Sequence, residues 1–204
     1  MPIDTKSLQL GDILITSSDN TVSHCGMVGG TTSVNTARGR VDRADMIYHA
    51  TSKGIKLDDA SGWANMAGGV GVFRKRGLSA LTVGGKPATR VIADAAAKLA
   101  ARCHYSPGRA IFKSWTGTSD YGSSAKGRVK KYLERLGSDG PFTIAVYCSE
   151  FVVLSYQLAA KGDDHASFFI ELDGKHTLPK DLRNWLIQRS TVGGSWQVLG
   201  NLVN

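Results

Sequence analysis

The chain has 204 residues, which suits one domain, and its 42% hydrophobic and 21% charged residues are the proportions of an ordinary globular protein. These proportions exclude a fibrous protein and a wholly disordered chain. No apolar run reaches the roughly 18 residues that span a bilayer, and residues 1–15 lack the basic start and apolar stretch of a signal peptide. We therefore expect synthesis and folding in the cytoplasm, without a signal peptide.

The formal net charge of +8 comes from basic clusters within the chain rather than from a tail. These clusters lie at residues 37–43, 73–77 and 126–137. They suit an anionic surface such as cell-wall polymer or lipid headgroups, although a solvated basic face is the plainer interpretation. No nucleic-acid motif or row of aromatic residues accompanies them, so no specific nucleic-acid partner is expected.

The first half of the chain has the pattern of short β-strands separated by turn residues, and helices follow. Charged residues recur every four positions over residues 86–102, which predicts a surface helix, and a similar pattern predicts a second helix over 124–136. The four predicted strands cover residues 11–17, 23–29, 45–51 and 69–75.

A third helix is predicted over residues 148–160, where apolar side chains lie on nearly every side. Such a helix belongs in the middle of the protein. Ser149 and Glu150 suit a helix start, so Cys148 lies at or just before the N-terminus. There the unpaired N–H groups and the helix dipole lower the pKa of a thiol. Cys148 is therefore either a small buried hydrophobic residue or a nucleophile, and a neighbouring base decides between the two.

The three cysteines are an odd number for a disulfide framework and show no metal-site spacing, so free thiols are expected, with no metal or other cofactor. Cys103 falls at the C-terminal end of the helix over 86–102, where the dipole disfavours a thiolate. Cys25 follows His24 directly. Because adjacent residues of a strand point to opposite faces, we expect Cys25 in the core rather than paired with His24.

Two of the five histidines, His24 and His49, lie in strand-like runs. If these strands are neighbours, both imidazoles lie on one face, where one contacts the thiol and the other orients the first. Taken singly, each is more commonly a hydrogen-bonded structural residue. The other three, His104, His165 and His176, fall in polar, loop-like contexts and are expected to be solvated.

Five short segments in this order carry a resemblance that covers nearly the whole chain: "LQLGDILI", "SHCGMVGG", "MIYHATSKGIKL", "YCSEFVVLSY" and "TLPKDLRNWL". They resemble the circularly permuted branch of the NlpC/P60 papain-like superfamily, which contains YiiX-like bacterial proteins and lecithin:retinol acyltransferase-like proteins. In ordinary members the cysteine helix precedes the histidine strand. In the permuted branch the histidine comes first, as it does here.

The resemblance implies an α+β, permuted papain-like fold in which an antiparallel sheet packs on a central buried helix that begins at the nucleophilic cysteine. It implies a single domain over residues 1–204 with a helical insertion at about 86–137. By position, Cys148 matches the nucleophile, His24 the base and His49 the third polar residue of the catalytic set.

The wider family implies a cysteine hydrolase, an amidase or peptidase, acting on peptide or cell-wall fragments through a thiol acyl-enzyme. Without a signal peptide, such an enzyme would reach the wall by a non-classical route as a secreted toxin effector, with an inhibitor or immunity protein as its partner. The double histidine suggests an alternative, a thiol acyltransferase or lipid hydrolase. A non-catalytic binding protein on the same fold is the remaining alternative and predicts an unreactive Cys148.

Overall fold

The computed structural model describes residues 1–16, 23–36, 39–106, 118–138 and 144–204. Within these ranges the protein has a mixed α+β fold, in which helices pack on a seven-stranded, mostly antiparallel sheet. The strands are β1 (Pro2–Asp4), β2 (Ile13–Thr16), β3 (Cys25–Thr36), β4 (Gly39–Thr51), β5 (Gly54–Asp59), β6 (Val70–Lys75), β7 (Thr82–Val83), β8 (Lys86–Pro87), β9 (Cys103–Tyr105), β10 (Ile144–Val146) and β11 (Trp196–Val203).

The strand order of the large sheet is β1-β11-β6-β2-β3-β4-β5. The one parallel pair in this sheet, β1 with β11, lies at its edge. The other strands form two small ribbons, β7 with β8 and β9 with β10. The predicted antiparallel sheet is therefore present, with a parallel edge strand that the sequence pattern did not indicate.

All four predicted strands are present, as β2, β3, β4 and β6. The first prediction ended at Ser17, which lies outside the described residues. β3 and β4 run well beyond their predicted limits as a long hairpin, because backbone pairing continues through polar residues that had no apolar alternation. One side-chain pair on this arm is Thr32 with Asp45, whose Oδ2 accepts from the hydroxyl at 2.6 Å.

The three predicted helices are also present, with ends that differ by one or two residues. The predicted position of Cys103 was wrong. The helix ends at Ala100, and Cys103 begins β9, where it pairs with Ile144 of β10. Parallel pairing with β10 holds this segment extended. The helices are α1 (Ala60–Ala64), α2 (Ala88–Ala100), α3 (Ser123–Leu136), α4 (Cys148–Ala159) and α5 (Pro179–Gln188). None of them is both long enough and apolar enough to cross a bilayer.

Helix α4 is the centre of the protein, and every one of its residues is buried, as its all-round apolar pattern predicted. The buried side chains of Ser149, Ser155 and Gln157 donate to backbone carbonyls, which offsets the cost of removing them from water. The Nε2 of Gln157 donates to the carbonyls of Ile170 and Leu172 at 2.9 and 2.7 Å. The core on this side of the sheet contains Cys25 and Cys148.

A smaller core covers the other face of the sheet and contains Val28 and Ile47, with Trp63 of α1. Because strand side chains alternate, His24 and His49 belong to this second face, whereas Cys25 belongs to the first. The start of β3 therefore lies where the two faces and the N-terminus of α4 come together.

The G-D-I-L segment, residues 11–14, leads into β2, which lies between β6 and β3 in the sheet. Gly11 has a positive φ of 90°, which favours glycine, and its carbonyl accepts a hydrogen bond from the Tyr156 hydroxyl of α4. The next residue, Asp12, is 1% exposed and accepts two hydrogen bonds from Arg74 of β6, at 2.7 and 2.6 Å. The motif thus connects helix α4 to the sheet through hydrogen bonds.

Candidate active site

Cys148 is the first residue of α4 and is 6% exposed. The residue before it, Tyr147, has an extended backbone, and its side chain does not cap the helix start. The N–H groups of the first turn and the helix dipole favour an anion beside the thiol. Two hydroxyl groups anchor this turn, because Tyr147 donates to the Lys175 carbonyl at 2.8 Å and Ser149 to the Thr177 carbonyl at 2.6 Å.

His24 immediately precedes β3, and β2 fixes its backbone. Its N–H donates to the Thr16 hydroxyl at 2.8 Å, and its carbonyl accepts from the Thr16 N–H at 2.9 Å. The imidazole of His24 lies close enough to Cys148 to lower the pKa of its thiol. The structure therefore places the predicted base beside the predicted nucleophile.

His49 lies beside His24, with its Nδ1 at 2.7 Å from the Nε2 of His24. In the sheet, His49 of β4 is directly opposite Gly26 of β3. Glycine leaves space at this point, since a Cβ on residue 26 would approach the Trp63 ring to 2.9 Å. The three sequence-predicted site residues thus form one contiguous group.

Asp58 extends this series, because its Oδ2 lies 2.8 Å from the Nε2 of His49. Sequence reasoning missed Asp58, although a usable signal was present. Thr51 pairs with Gly54 across a tight turn, and continuing that register places Asp58 opposite Ile47, diagonal to His49. Assigning a hairpin at residues 51–54 would have identified it.

The Asp58 carboxylate determines which nitrogen of each imidazole carries its proton. An ionised carboxylate only accepts hydrogen bonds, so His49 must donate from Nε2. A neutral His49 then accepts at Nδ1 from the Nε2–H of His24. This leaves Nδ1 of His24 without a proton and able to accept one from the Cys148 thiol.

Trp63 covers both imidazoles and was not identified from the sequence. Its ring stacks on His24 with a centroid distance of 5.4 Å, and it meets His49 edge-on at 5.1 Å. Trp63 is fully buried on α1, whose first turn is capped by Asp59 through the Ser61 N–H at 2.7 Å. A lone tryptophan in a short polar segment carries no sequence signal for such a role.

The charges of the site favour a thiolate on Cys148. The pKa of Cys148 is well below its ordinary value, and the side chain of Cys25 is the largest cause of this lowering. Burial raises the pKa of Cys148, whereas the His24 imidazole lowers it further. Burial, together with the adjacent sulfur of Cys148, raises the pKa of Cys25 well above its ordinary value. Burial also lowers the pKa of His49, against the hydrogen bond to Asp58, so that His49 is neutral near neutral pH.

The other three histidines lie outside this group. His104 and His165 are exposed, as expected. The prediction for His176 was wrong, because its side chain is only 10% exposed and its Nε2 lies 3.9 Å from Asp173. The 3₁₀ turn that carries it packs against α4, which the sequence pattern did not indicate.

Comparisons with protein-family models, with curated proteins and with solved structures found no match to this chain. The site is therefore interpreted from its own geometry. Among the described residues, no three His, Cys, Asp or Glu side chains are grouped closely enough to hold a metal ion. What the arrangement offers chemically is a thiol of lowered pKa, an imidazole nitrogen beside it that can take the thiol proton, and a fixed series of hydrogen bonds behind that imidazole.

This geometry predicts selective alkylation of Cys148. At about pH 6 to 7, iodoacetamide should label Cys148 well before Cys25 or Cys103, because the lowered pKa of Cys148 increases its thiolate fraction, whereas burial raises the pKa of Cys25. Peptide mass spectrometry after short labelling times measures the order. Equal labelling of all three cysteines would contradict the assignment.

Proposed function

We propose that the protein is a cysteine hydrolase of the amidase or peptidase type, with Cys148 as nucleophile and His24 as general base. The observation that carries this proposal is the hydrogen-bonded series from His24 through His49 to Asp58, whose His24 end lies beside Cys148 and lowers the pKa of its thiol. A buried cysteine with a purely structural role needs neither a base beside it nor an orienting partner behind that base.

In the proposed reaction, Nδ1 of His24 takes the thiol proton, and the Cys148 sulfur attacks the substrate carbonyl. The N–H groups at the start of α4, that of Cys148 first among them, stabilise the oxyanion. The amine leaves with the proton held by His24, and a thioester to Cys148 remains. Water, activated by the same imidazole, then hydrolyses the thioester and restores the thiol.

The fold that suits this chemistry is the permuted papain-like arrangement of the NlpC/P60 superfamily, with residues 1–204 as one domain. The buried helix α4 on a mostly antiparallel sheet supports it, as does the order of histidine before cysteine. In this proposal α2 and α3 constitute the insertion at about 86–137 and shape the substrate cleft.

We further propose peptide or cell-wall fragments as substrates, because the basic chain suits an anionic polymer. Delivery as an effector by a non-classical route, with an inhibitor or immunity protein as partner, belongs to this proposal. The second candidate is a thiol acyltransferase or lipid hydrolase of the lecithin:retinol acyltransferase-like type. The specific observation in its favour is that a second histidine, His49, contacts the base.

The products of the reaction distinguish these candidates. The wild-type protein is incubated separately with peptidoglycan fragments and with phospholipid vesicles, and both mixtures are analysed by mass spectrometry. Cleaved peptide supports the hydrolase, whereas released or transferred acyl chains support the second candidate. Cys103→Ala should form as much product as the wild type, and Cys148→Ala should form none. Equal amounts of product from the two variants would contradict both enzymatic proposals.

His49 and Asp58 should act on the rate rather than on substrate binding, because they orient His24 without touching the reacting atoms. We expect His49→Ala to retain measurable activity, with kcat lowered by about 10- to 100-fold, the range found for partners that orient metal-bound imidazoles. Asp58 is half exposed, so water can replace its carboxylate, and Asp58→Ala should cost less. In both variants KM should stay nearly constant.

The matched control for Asp58 is Asp94→Ala, which removes a carboxylate of similar exposure from a surface ion pair on α2. Its kinetics should equal those of the wild type. A rise in KM at constant kcat for His49→Ala would contradict the orienting role. Circular dichroism confirms that each variant is folded.

A further inference from the structure

The end of helix α4 that is remote from Cys148 borders a cleft of about 420 Å³. The walls of the cleft are helix α2, helix α3, the last turn of α4 and the turn between β7 and β8. Leu158, in the last turn of α4, is about 15 Å from Cys148 along the helix axis, at a rise of about 1.5 Å per residue. The cleft is therefore separate from the candidate active site, and the mechanism proposed above does not use it.

The inner surface of the cleft is aliphatic, and its side chains come from three helices. They are Val91 and Ala95 of α2, Leu133 and Leu136 of α3, and Leu158 and Ala159 of α4. The residues from α2 and α3 are only half-buried, although both helices also have fully buried residues within the core. An aliphatic cleft of this volume lies in the range of about 300–1,000 Å³ that is usual for small-molecule sites.

Three exposed lysines, Lys86, Lys98 and Lys161, border the same cleft. Within the described part of the chain, none of their ammonium groups has a hydrogen-bond or ion-pair partner. Asp94 also borders the cleft, but its Oδ1 is paired with the Nε of Arg90 at 3.2 Å. Helices α3 and α4 end here, and each helix end adds a partial charge of about −0.5, which is less in total than three full positive charges. The cleft therefore favours an anion.

The backbone of Lys161 has a conformation that favours glycine. Its φ is 53°, and no other non-glycine residue among those described has a positive φ. The following residue, Gly162, has a similar φ of 75°, which glycine adopts without strain. A lysine at position 161 strains the backbone, because its Cβ crowds the neighbouring carbonyl. In return, the chain gains an ammonium group at the edge of the cleft.

We propose that this cleft is a binding site for the anion of a fatty acid, whose aliphatic chain lies between α2 and α3 and whose carboxylate lies among Lys86, Lys98 and Lys161. The described residues that line the cleft include no aromatic ring, so apolar contact with a chain of methylene groups is the main interaction that the inner surface offers. A partner helix fits less well, because about one turn of a helix roughly 10 Å across fills this volume. The proposal does not rest on hydrolase activity.

The test is isothermal titration calorimetry of the intact wild-type protein with decanoate below its micelle concentration. We expect one decanoate per protein, with a Kd that falls about fourfold for each methylene added from hexanoate to decanoate, the factor for burying one methylene group. Butyrate has the charge without the chain, and decyltrimethylammonium has the chain without the negative charge, so both should bind much more weakly. Equal affinity for decanoate and either of these two probes, or no binding of decanoate, overturns the proposal.

Lys161→Gly is the most informative variant, because it removes one charge of the cleft and also relieves the strained backbone. The midpoint of urea unfolding should rise, whereas the Kd for decanoate should increase by about 2- to 5-fold, the scale of an exposed ion pair. Weaker binding by a more stable protein is not caused by unfolding. The control is Lys180→Gln, which removes an exposed charge on α5 outside the cleft and should bind decanoate as the wild type does. Unchanged affinity in Lys161→Gly, or an equal loss in Lys180→Gln, refutes the site.

Two further measurements locate the aliphatic chain. Ala95→Phe fills the space between α2 and α3 and should abolish binding, and decanoate affinity equal to wild type in the folded variant contradicts the assignment. Saturating decanoate should not slow the alkylation of Cys148 by iodoacetamide, because the cleft lies at the other end of α4. Protection of Cys148 would place the chain at the nucleophile and refute a separate site. No substrate is turned over in these experiments, so a negative result leaves the hydrolase proposal unaffected.

Discussion

Folded Cys148→Ala should show no turnover of any substrate that the wild-type protein cleaves, and His24→Ala should come close to the same loss. In the proposed mechanism both groups are needed in the step that forms the acyl-enzyme, since the imidazole beside the sulfur takes its proton. Losses on the order of 10⁴- to 10⁶-fold in kcat are the scale for removing a member of such a set. Steady-state kinetics on the substrate identified by mass spectrometry measures them.

The losses in kcat caused by Cys148→Ala and by His24→Ala should not be additive. The double variant Cys148→Ala/His24→Ala should be about as inactive as either single variant, because each change alone disables the shared step. His165→Ala is the matched histidine control, as this side chain is 95% exposed and outside the site. Full activity of folded Cys148→Ala would falsify the cysteine-enzyme proposal outright.

The parts of the site that could be predicted are those that depend on local pattern. Helix α4 is recognisable by apolar residues on every side, and its start places Cys148 where an anion is favoured. The period-two alternation of strands predicted that His24 and His49 share one face if their two strands are neighbours. Each of these inferences starts from the pattern within a single helix or strand.

The parts that could not be predicted depend on contacts between elements distant in the chain. Trp63 reaches the imidazoles because α1 packs over the second face of the sheet, and no local pattern encodes that packing. The packing of α4 against β3 and β4 likewise joins segments more than a hundred residues apart. Sequence reasoning treated burial and catalysis as alternatives for a cysteine, whereas here Cys148 is both buried and next to the base.

Replacing Arg74 should have the largest effect on stability, because it leaves the Asp12 carboxylate buried without its partner. Arg74 donates two hydrogen bonds to Asp12 and a third to the Ser7 carbonyl at 2.8 Å. Breaking a buried pair on one side costs about 3–5 kcal/mol, a large share of the roughly 5–15 kcal/mol that holds a domain folded. Urea unfolding followed by circular dichroism measures the loss in Arg74→Met.

Two variants show whether the uncompensated charge is the cause. Asp12→Asn/Arg74→Met removes both charges while the oxygen of the introduced amide still accepts from the Gln9 N–H, so it should recover much of the stability. Arg90→Met breaks an exposed pair with Asp94 and should change the free energy of unfolding by less than about 1 kcal/mol. An equal loss in all three variants would mean that packing of the long side chains, rather than charge, stabilises these sites.

The dependence on pH tests the same charge independently. Burial raises the pKa of Asp12 above its ordinary value, although Arg74 opposes this shift. The contribution of Asp12 to the free energy of unfolding is therefore complete below the unfolded pKa and is lost as the pH rises through the folded pKa. Without Arg74 the folded pKa rises further, and protonation removes the buried charge at a higher pH. The loss in free energy of unfolding caused by Arg74→Met should therefore become smaller as the pH is lowered from neutral. A loss that stays constant over this range would mean that the packing of Arg74, and not its pairing with Asp12, causes the effect.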